Sequence, residues 1–436
     1  RQEVNGMMLM MGGADPHHLY QLREDGDCKW LFIAHGKPTQ EQDVCSAEDI
    51  RLLLTGLYQV ELYDTIHATI KQMPTTFKNG RTLVLLTMHR HDSFLFRLTP
   101  AAEPYSDPDA VKTEKTEPQA PFMFSLPQPP GAASNPPNRV KVTLHDPNVL
   151  MLDRAEYALD NEEYAPAEEI LRIDNIFRKR LGFPARHESL VQPWVLPKKP
   201  AVNRARLRFT FHSEIELEQV KFALEELDKA TIVFNGRQLT ASSTGHYIDR
   251  AITTMEIGPI QKGENVIEVT MPFANHSNLE WSYILGDFGV RAEGAKGIIT
   301  APVRELSFGD IVPQGLPFYG GNITYHVPLD ATVKGEIVHI HAPRYRGALI
   351  AVEADGKRRG VIAYSPYNLD IPRPQSGQVD FVLFGTRVNT LGAVHMVTDR
   401  YRMLHPRAYR TQGDMWSDEY VLEPVGILKS PRITIE

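Results

Sequence analysis

Short apolar runs separated by polar turns dominate the first hundred positions. Residues 29–34 (KWLFIA) and 83–87 (LVLLT) are brief, apolar and bounded by polar residues, which suits buried strands. Residues 56–63 (GLYQVELY) alternate, with Leu57, Gln59, Glu61 and Tyr63 against Tyr58, Val60 and Leu62, as in a half-buried strand. The tetrad Lys78-Asn79-Gly80-Arg81 predicts a tight turn, because Asn-Gly accepts positive φ at both central positions. Helical period emerges at 167–181 (AEEILRIDNIFRKRL), where Ile170, Ile173, Ile176 and Phe177 share a face. Pro166 precedes this helix, Glu168 and Glu169 complement its dipole, Arg178 to Arg180 load its last turn, and Gly182 with Pro184 ends it. From Arg206 onward the pattern is β again.

Between Pro100 and Pro137 the pattern lapses into Pro, Glu, Ser and Ala, with almost no branched aliphatic residues. Such a stretch buries too little apolar surface to offset its ordering entropy, so an extended linker is expected, pinned by Phe122 and Phe124. Farther on, residues 231–270 and 349–384 form a weak internal repeat. Each reads strand, Asn-Gly or Asp-Gly turn, an Asp-Ile-type segment, a Gly-containing turn, then strand. Asn235-Gly236 corresponds to Asp355-Gly356, and Lys262-Gly263 to Ser376-Gly377. The expected organisation is a β-sandwich at 1–100, a Pro-rich linker at 101–140, a strand–helix lead-in at 141–200, and jelly rolls at 201–296 and 297–436. The fold class is all-β, with tandem β-sandwiches and one packed helix.

Composition narrows the function. Lys and Arg number 47 against 54 Asp and Glu, a net charge of −7, which argues against a nucleic-acid surface. No apolar run approaches the ~18 residues of a membrane-spanning helix. Two cysteines, Cys28 and Cys45, make neither a disulfide scaffold nor a thiolate metal site. The chain opens Arg1-Gln2-Glu3-Val4, without an initiator Met or signal peptide, and is expected to be a piece of a longer polypeptide.

A resemblance adds to this. The stretch from Asn235-Gly236 through Gly263-Glu264-Asn265-Val266-Ile267 resembles the sugar-binding, galactose-binding-like jelly roll of β-galactosidase-type and α-L-rhamnosidase-type glycoside hydrolases. Asn278-Leu279-Glu280 with Ile284-Leu285-Gly286-Asp287-Phe288 is similar to the same domain. Residues 147–153 followed by Gln192-Pro193-Trp194 resemble its lead-in in large bacterial glycosidases. Pro317-Phe318-Tyr319-Gly320-Gly321 through Trp416-Ser417-Asp418-Glu419-Tyr420 resembles their last jelly roll, and the first hundred residues resemble the β-module after the catalytic barrel. The resemblance implies the non-catalytic C-terminal region of such an enzyme. Its (β/α)₈ barrel needs ~250 residues of alternating strands and helices, and one helix is legible here. No catalytic residue can therefore be carried over.

Candidate chemistry is sparse. Glycoside hydrolysis needs two carboxylates. Glu280 and Asp287 flank Trp281 and Tyr283, but a strand-start bridge and a turn cap explain them as well. His89-Arg90-His91-Asp92 and His339-Ile340-His341 each put two imidazoles on one strand face, yet no motif supplies further zinc ligands, and His17-His18 and His395 fare no better. No metal site and no cofactor are expected, although a structural calcium ion is compatible with the fold. No Gly-x-Ser-x-Gly elbow, phosphate loop or dinucleotide fingerprint occurs. The sequons at Asn275 and Asn322 read as chance. What remains is sugar binding by Tyr319, Tyr364, Tyr367, His395, Trp416 and Asp418, aromatic walls with polar groups, against the reading that large rings fill cores and seams. The expected role is an accessory, carbohydrate-associated region with a glycan and the parent chain's barrel as partners, room for self-association, and neither nucleic acid nor membrane. The alternatives are a stand-alone carbohydrate-binding or adhesin-like protein, or a glycosidase with its site in a sandwich cleft.

Overall fold

The computed structural model describes residues 2–4, 7–11, 18–35, 47–66, 68–89, 92–105, 132–134, 136–186, 197–397 and 406–436. Cys45, His17, His91, Phe122, Phe124 and Trp194 lie outside them, as does most of the expected linker.

Among the described residues the architecture is all-β, three sandwiches of almost wholly antiparallel strands and one α-helix. In the first sandwich, one sheet runs Gln2–Val4, Met7–Met11, Ala47–Thr55, Arg81–His89, Thr76–Lys78. The facing sheet runs His18–Asp25, Cys28–His35, Ser93–Pro100, Tyr58–Asp64, Thr69–Met73. Alternation sends Leu31, Ile33, Val60, Phe96 and Leu98 inward from one sheet and Leu52, Leu54 and Val84 from the other. Cys28 is a buried free thiol.

The other two sandwiches share one strand order, to which the first of the pair adds Gly245–Tyr247 and the Gly289–Glu293, Lys296–Thr300 pair, the latter strand running parallel to Asn203–Ser213. In the first of the pair, the larger sheet orders Arg154–Leu159, Asn203–Ser213, Gly263–Phe273, Thr231–Phe234, Arg237–Leu239. In the second, the order is Arg139–Leu144, Ile323–Pro328, Gln378–Leu383, Ile350–Ala354, Lys357–Ile362. The smaller sheets match too. One runs Asn148–Leu152, Ser282–Gly286, Lys221–Glu225, Asp249–Glu256; the other runs Ala132–Ala133, Arg432–Ile435, Ile337–His341, Asn368–Pro372. Every matched neighbour pair is antiparallel in both. The turn residues explain why: Asn235 and Gly236 have φ +46° and +78°, and Asp355 and Gly356 have +52° and +70°, the left-handed pair that a two-residue hairpin needs.

The two jelly rolls are nested, not consecutive. Arg139–Leu144 pairs with Ile323–Pro328, and Ala132–Ala133 with Arg432–Ile435, so residues 132–144 open the last sandwich. This corrects the expected boundaries, which gave those residues to linker and lead-in. Asn148–Leu152 and Arg154–Leu159, also read as lead-in, are two strands of the other jelly roll. That unit, the inner jelly roll, is inserted between the second and third strands of the outer one.

The helix spans Ile170–Arg180, shorter at its start than the pattern predicts, because Ala165–Glu169 pairs as a strand with Arg154–Leu159. Glu169 is extended and caps the helix, accepting from the Leu171 and Arg172 amides. Ile170, Ile173 and Phe177 are buried, with Phe177 edge-on to Tyr157 and Phe273 at 5.7 and 5.6 Å. Arg178 is buried as well. Its guanidinium donates to Asp174 at 2.8 Å and to the Asn275 and Ser277 carbonyls, so the charge is paired and its donors are used.

Candidate functional site

Two long connections, one from each jelly roll, meet beside the helix start. In the inner jelly roll it joins Gly263–Phe273 to Ser282–Gly286 and brings Asn278, Glu280 and Trp281. In the outer one it joins Gln378–Leu383 to Arg432–Ile435 and brings Leu391, His395, Tyr409, Trp416 and Tyr420.

Between them lies a pocket of about 110 Å³, walled by Trp281, Tyr283 and Tyr409, with Leu171, Ile252 and Leu391 completing the apolar lining. Glu225 and Glu280 supply its charge. Both carboxylates accept from one amide: Asn278 Nδ2 donates to Glu280 Oε1 at 2.6 Å and reaches Glu225 Oε2 at 3.5 Å. The Arg186 guanidinium donates to Asn278 Oδ1, which fixes the amide's orientation. Burial, then the Glu225 charge, push Glu280 up to about 7, against the Asn278 hydrogen bond and the Arg410 charge. Glu225 is raised also, by burial first and by Asp249 and Glu226. Near neutral pH the pair therefore both accepts and donates hydrogen bonds.

The floor of the pocket continues into a buried polar seam. Trp281 Nε1 donates to Glu169 Oε1 at 2.7 Å, and Glu169 is fully buried. Burial raises Glu169 to about 7, aided by the Asp153 charge and opposed by the hydrogen bonds from Trp281 and the helix amides. Asp153 lies between the first two strands of the inner jelly roll. Its Oδ2 is 2.6 Å from His395 Nε2, and its Oδ1 accepts from the Tyr420 hydroxyl at 2.6 Å. His395 Nδ1 lies 2.8 Å from the Ser417 carbonyl, so both ring nitrogens face acceptors, the arrangement of an imidazolium. Burial pulls His395 down, but the Asp153 hydrogen bond and charge, the Ser417 carbonyl and the Glu169 charge outweigh it, and the net shift is upward. With His395 protonated, the seam is an inter-domain ion pair with both partners buried.

Of the sequence-predicted residues, His395, Trp416 and Asp418 come together here. Trp416 stacks on His395 at 4.6 Å between centroids, and the Arg172 guanidinium lies 3.7 Å from its ring centre. The indole is thus engaged by both His395 and Arg172. Asp418 accepts from Trp416 Nε1 at 3.2 Å and from Arg154 at 3.1 Å. Tyr319 is a core residue whose hydroxyl bonds the His145 and Asp146 amides and the Asn322 carbonyl. Tyr364 is exposed, and Tyr367 packs edge-on to Tyr345 at 6.1 Å. The six expected sugar contacts thus do not form one surface.

The Glu280 and Asp287 pairing is not formed either: Asp287 is exposed and clamped by Arg304 at 2.8 and 2.5 Å. Sequence reasoning missed Glu225, Asn278, Tyr409, Asp153 and Glu169 as site residues; only Glu169 carried a local signal, its place before a helical period. His339 and His341 bond their cross-strand neighbours Asp370 and Asn368. A larger cavity of about 300 Å³ lies at the outer jelly roll. There Arg346 pairs with Glu423 and Asn389 bonds the Glu423 backbone, so its polar lining is largely engaged within itself.

No protein-family model matches the chain, and no curated protein does. Among solved structures it is similar to a rhamnosidase from Novosphingobium sp. PP1Y, at 11% identity and TM-score 0.20, over 64% of this chain and 24% of that one. It is also similar to a β-D-glucuronidase of Dictyoglomus thermophilum, at 10% identity and TM-score 0.19, over 56% and 39%. A third is a putative β-galactosidase from Bacteroides fragilis, at 11% identity and TM-score 0.15, over 57% and 36%. The matched part spans a quarter to two-fifths of those chains.

Proposed function

We propose that this chain is a carbohydrate-associated accessory region of a multidomain glycoside hydrolase, and that the pocket between Glu225, Glu280 and Tyr409 seats the terminal sugar of a glycan. One observation carries the reading. Two carboxylates share one oriented amide at the base of a pocket with three aromatic walls. Sugars present C–H faces that pack on aromatic rings and hydroxyl pairs that bond to carboxylates and amides, the combination typical of small-ligand pockets. The sequence resemblance to sugar-binding jelly rolls supports it, and in that reading the parent chain's barrel is the neighbouring partner.

Hydrolysis in this pocket is the second reading, favoured by the carboxylate pair and by Glu280 near 7. The shared amide caps the separation of the two bonded oxygens at about 6 Å, a limit that overlaps the spacing of retaining glycosidases. Cleavage needs a sugar on each side of the bond, however, and about 110 Å³ receives one end of a glycan only. Calorimetric titration of the chain with a panel of methyl glycosides and oligosaccharides, alongside nitrophenyl glycosides for turnover, separates the readings. Saturable binding weakened at least about tenfold by Glu280→Gln, without turnover, is expected. Binding to no sugar, or binding indifferent to Glu280→Gln and Tyr409→Ala, overturns the proposal. Turnover abolished by Glu280→Gln establishes the second reading instead.

A further inference from the structure

The N-terminal sandwich carries a cluster that the pocket does not involve. His18 opens the His18–Asp25 strand and His35 closes Cys28–His35, and the antiparallel register sets them directly opposite. Their ring centroids are 4.6 Å apart. Glu48 reaches across from Ala47–Thr55 in the facing sheet, its Oε1 2.8 Å from His18 Nε2 and 3.6 Å from His35 Nε2. One donor atom from each of the three side chains lies within 4.8 Å of the others.

The His18 side chain is 2% exposed, yet among the described residues neither of its ring nitrogens finds a hydrogen bond of sound geometry, despite the close approach of Glu48, and His35 Nε2 finds none either. A buried polar nitrogen left in that state costs free energy, and native structures answer such groups with water, an ion or a ligand. Two imidazoles and a carboxylate are the mixed nitrogen and oxygen set of zinc-type ions; calcium and magnesium ask for oxygen alone. Donors about 2.0–2.1 Å from a tetrahedral zinc ion stand roughly 3.3 Å from one another. The two His–Glu distances bracket that value. His35 is also hydrogen-bonded to the His89 backbone, the kind of outer contact that orients a metal-binding imidazole.

We propose that His18, His35 and Glu48 bind one divalent transition-metal ion of the zinc class, joining the two sheets of the N-terminal sandwich at one end, with the remaining coordination position left to water. The reason to expect a staple here is the size of the core. The contiguous apolar core of this sandwich comprises nine buried residues among those described, a small cluster, and a bound ion adds folding free energy directly.

The test uses the whole chain, stripped with chelator and returned to equimolar zinc. Mass-spectrometric metal analysis should find one zinc per chain, cobalt substitution should give the visible bands of a tetrahedral site, and the first melting transition should rise by at least about 5 °C. Magnesium and calcium should change nothing. His35→Gln and Glu48→Gln, both at partly exposed positions, should keep the metal-free melting temperature and lose the zinc-induced rise. His18→Ala should lose it too, but is not required for the test, because cutting a buried ring can unfold the sandwich by itself. Less than about a tenth of a zinc per chain, or zinc stabilisation that persists in His35→Gln and Glu48→Gln, overturns the proposal.

Discussion

In the inner jelly roll the connection from Arg154–Leu159 to Asn203–Ser213 carries a helix; in the outer one the same connection, from Arg139–Leu144 to Ile323–Pro328, carries an entire second jelly roll. The strand order of the shared strands is the same, and the inner jelly roll adds Gly245–Tyr247, Gly289–Glu293 and Lys296–Thr300. The difference teaches where chemistry is housed in this chain. The sheets supply mainly apolar faces, with Glu225 at the end of the Lys221–Glu225 strand as an exception, while most of the charged and polar groups sit on what the connections add: Glu169 at the helix start, Asn278 and Glu280 on the inner connection, His395 and Tyr420 on the outer. Neither jelly roll holds the site alone, since its carboxylates are inner and its His395, Tyr409 and Tyr420 are outer.

The sharpest way to break this comparison is to cut the seam. Asp153→Ala leaves the His395 imidazolium buried without its partner and should cost about 3–5 kcal/mol in denaturant unfolding. Because the pair joins the two jelly rolls, their unfolding should also separate into two transitions. A loss below about 1 kcal/mol would mean that the seam does not couple them.

A smaller effect comes from pH. Glu169 and Glu280 sit near 7 against an ordinary carboxylate value of 4.5, so the folded chain keeps protons that the unfolded chain has released. Stability contributed by these groups therefore falls as pH rises from about 4.5 through 7. The raised His395 acts in the same direction: its contribution is full below about 6.5 and is lost as pH rises through its folded value. Asp287 and Asp418 are depressed, and their contribution is lost only as pH falls below the ordinary 3.8. Between pH 5 and 7.5 the jelly-roll pair should lose on the order of 2 kcal/mol for each of the two carboxylates, and Glu169→Gln should shrink that slope. A flat profile over this interval would show that the buried carboxylates are already ionised in the folded chain.

The smallest effect sharpens the repeat itself. Gly236→Ala and Gly356→Ala place a methyl group in open space at φ +78° and +70°, so each should cost about 1 kcal/mol from backbone strain alone. Equal losses mark the two turns as equivalent. A difference above about 1 kcal/mol would show that one hairpin relaxes where the other cannot.

These two turns were legible in the sequence because their cause is local: Asn-Gly and Asp-Gly dictate a hairpin wherever they fall between strands. The helix was legible for the same reason, apart from its first turn, where pairing of Ala165–Glu169 with Arg154–Leu159 overrode helical period. The nesting was not. Arg139–Leu144 reads as an ordinary strand, and nothing local says that its neighbour lies beyond an intervening domain. The sites follow the same rule. Glu225 and Glu280 come from different strands and connections, and His18, His35 and Glu48 from three strands on two sheets, so only register brings them together. Single-strand pairs such as His339 and His341 were visible in the sequence, and they bond the cross-strand neighbours Asp370 and Asn368, with His339 also 3.4 Å from Glu436.

Insertion of one jelly roll inside another also sets a timetable for biosynthesis. Leu144 pairs with Ile323, and a ribosome adding about 5–20 residues per second needs roughly 9–36 s to supply that partner. Throughout that interval the opening strands of the outer jelly roll wait with open hydrogen-bonding edges, while the inner one can finish folding and bring their attachment points close. The inner jelly roll therefore serves as the outer one's folding clamp before it serves as its neighbour, and damage to its core should surface first as aggregation of the outer strands during synthesis.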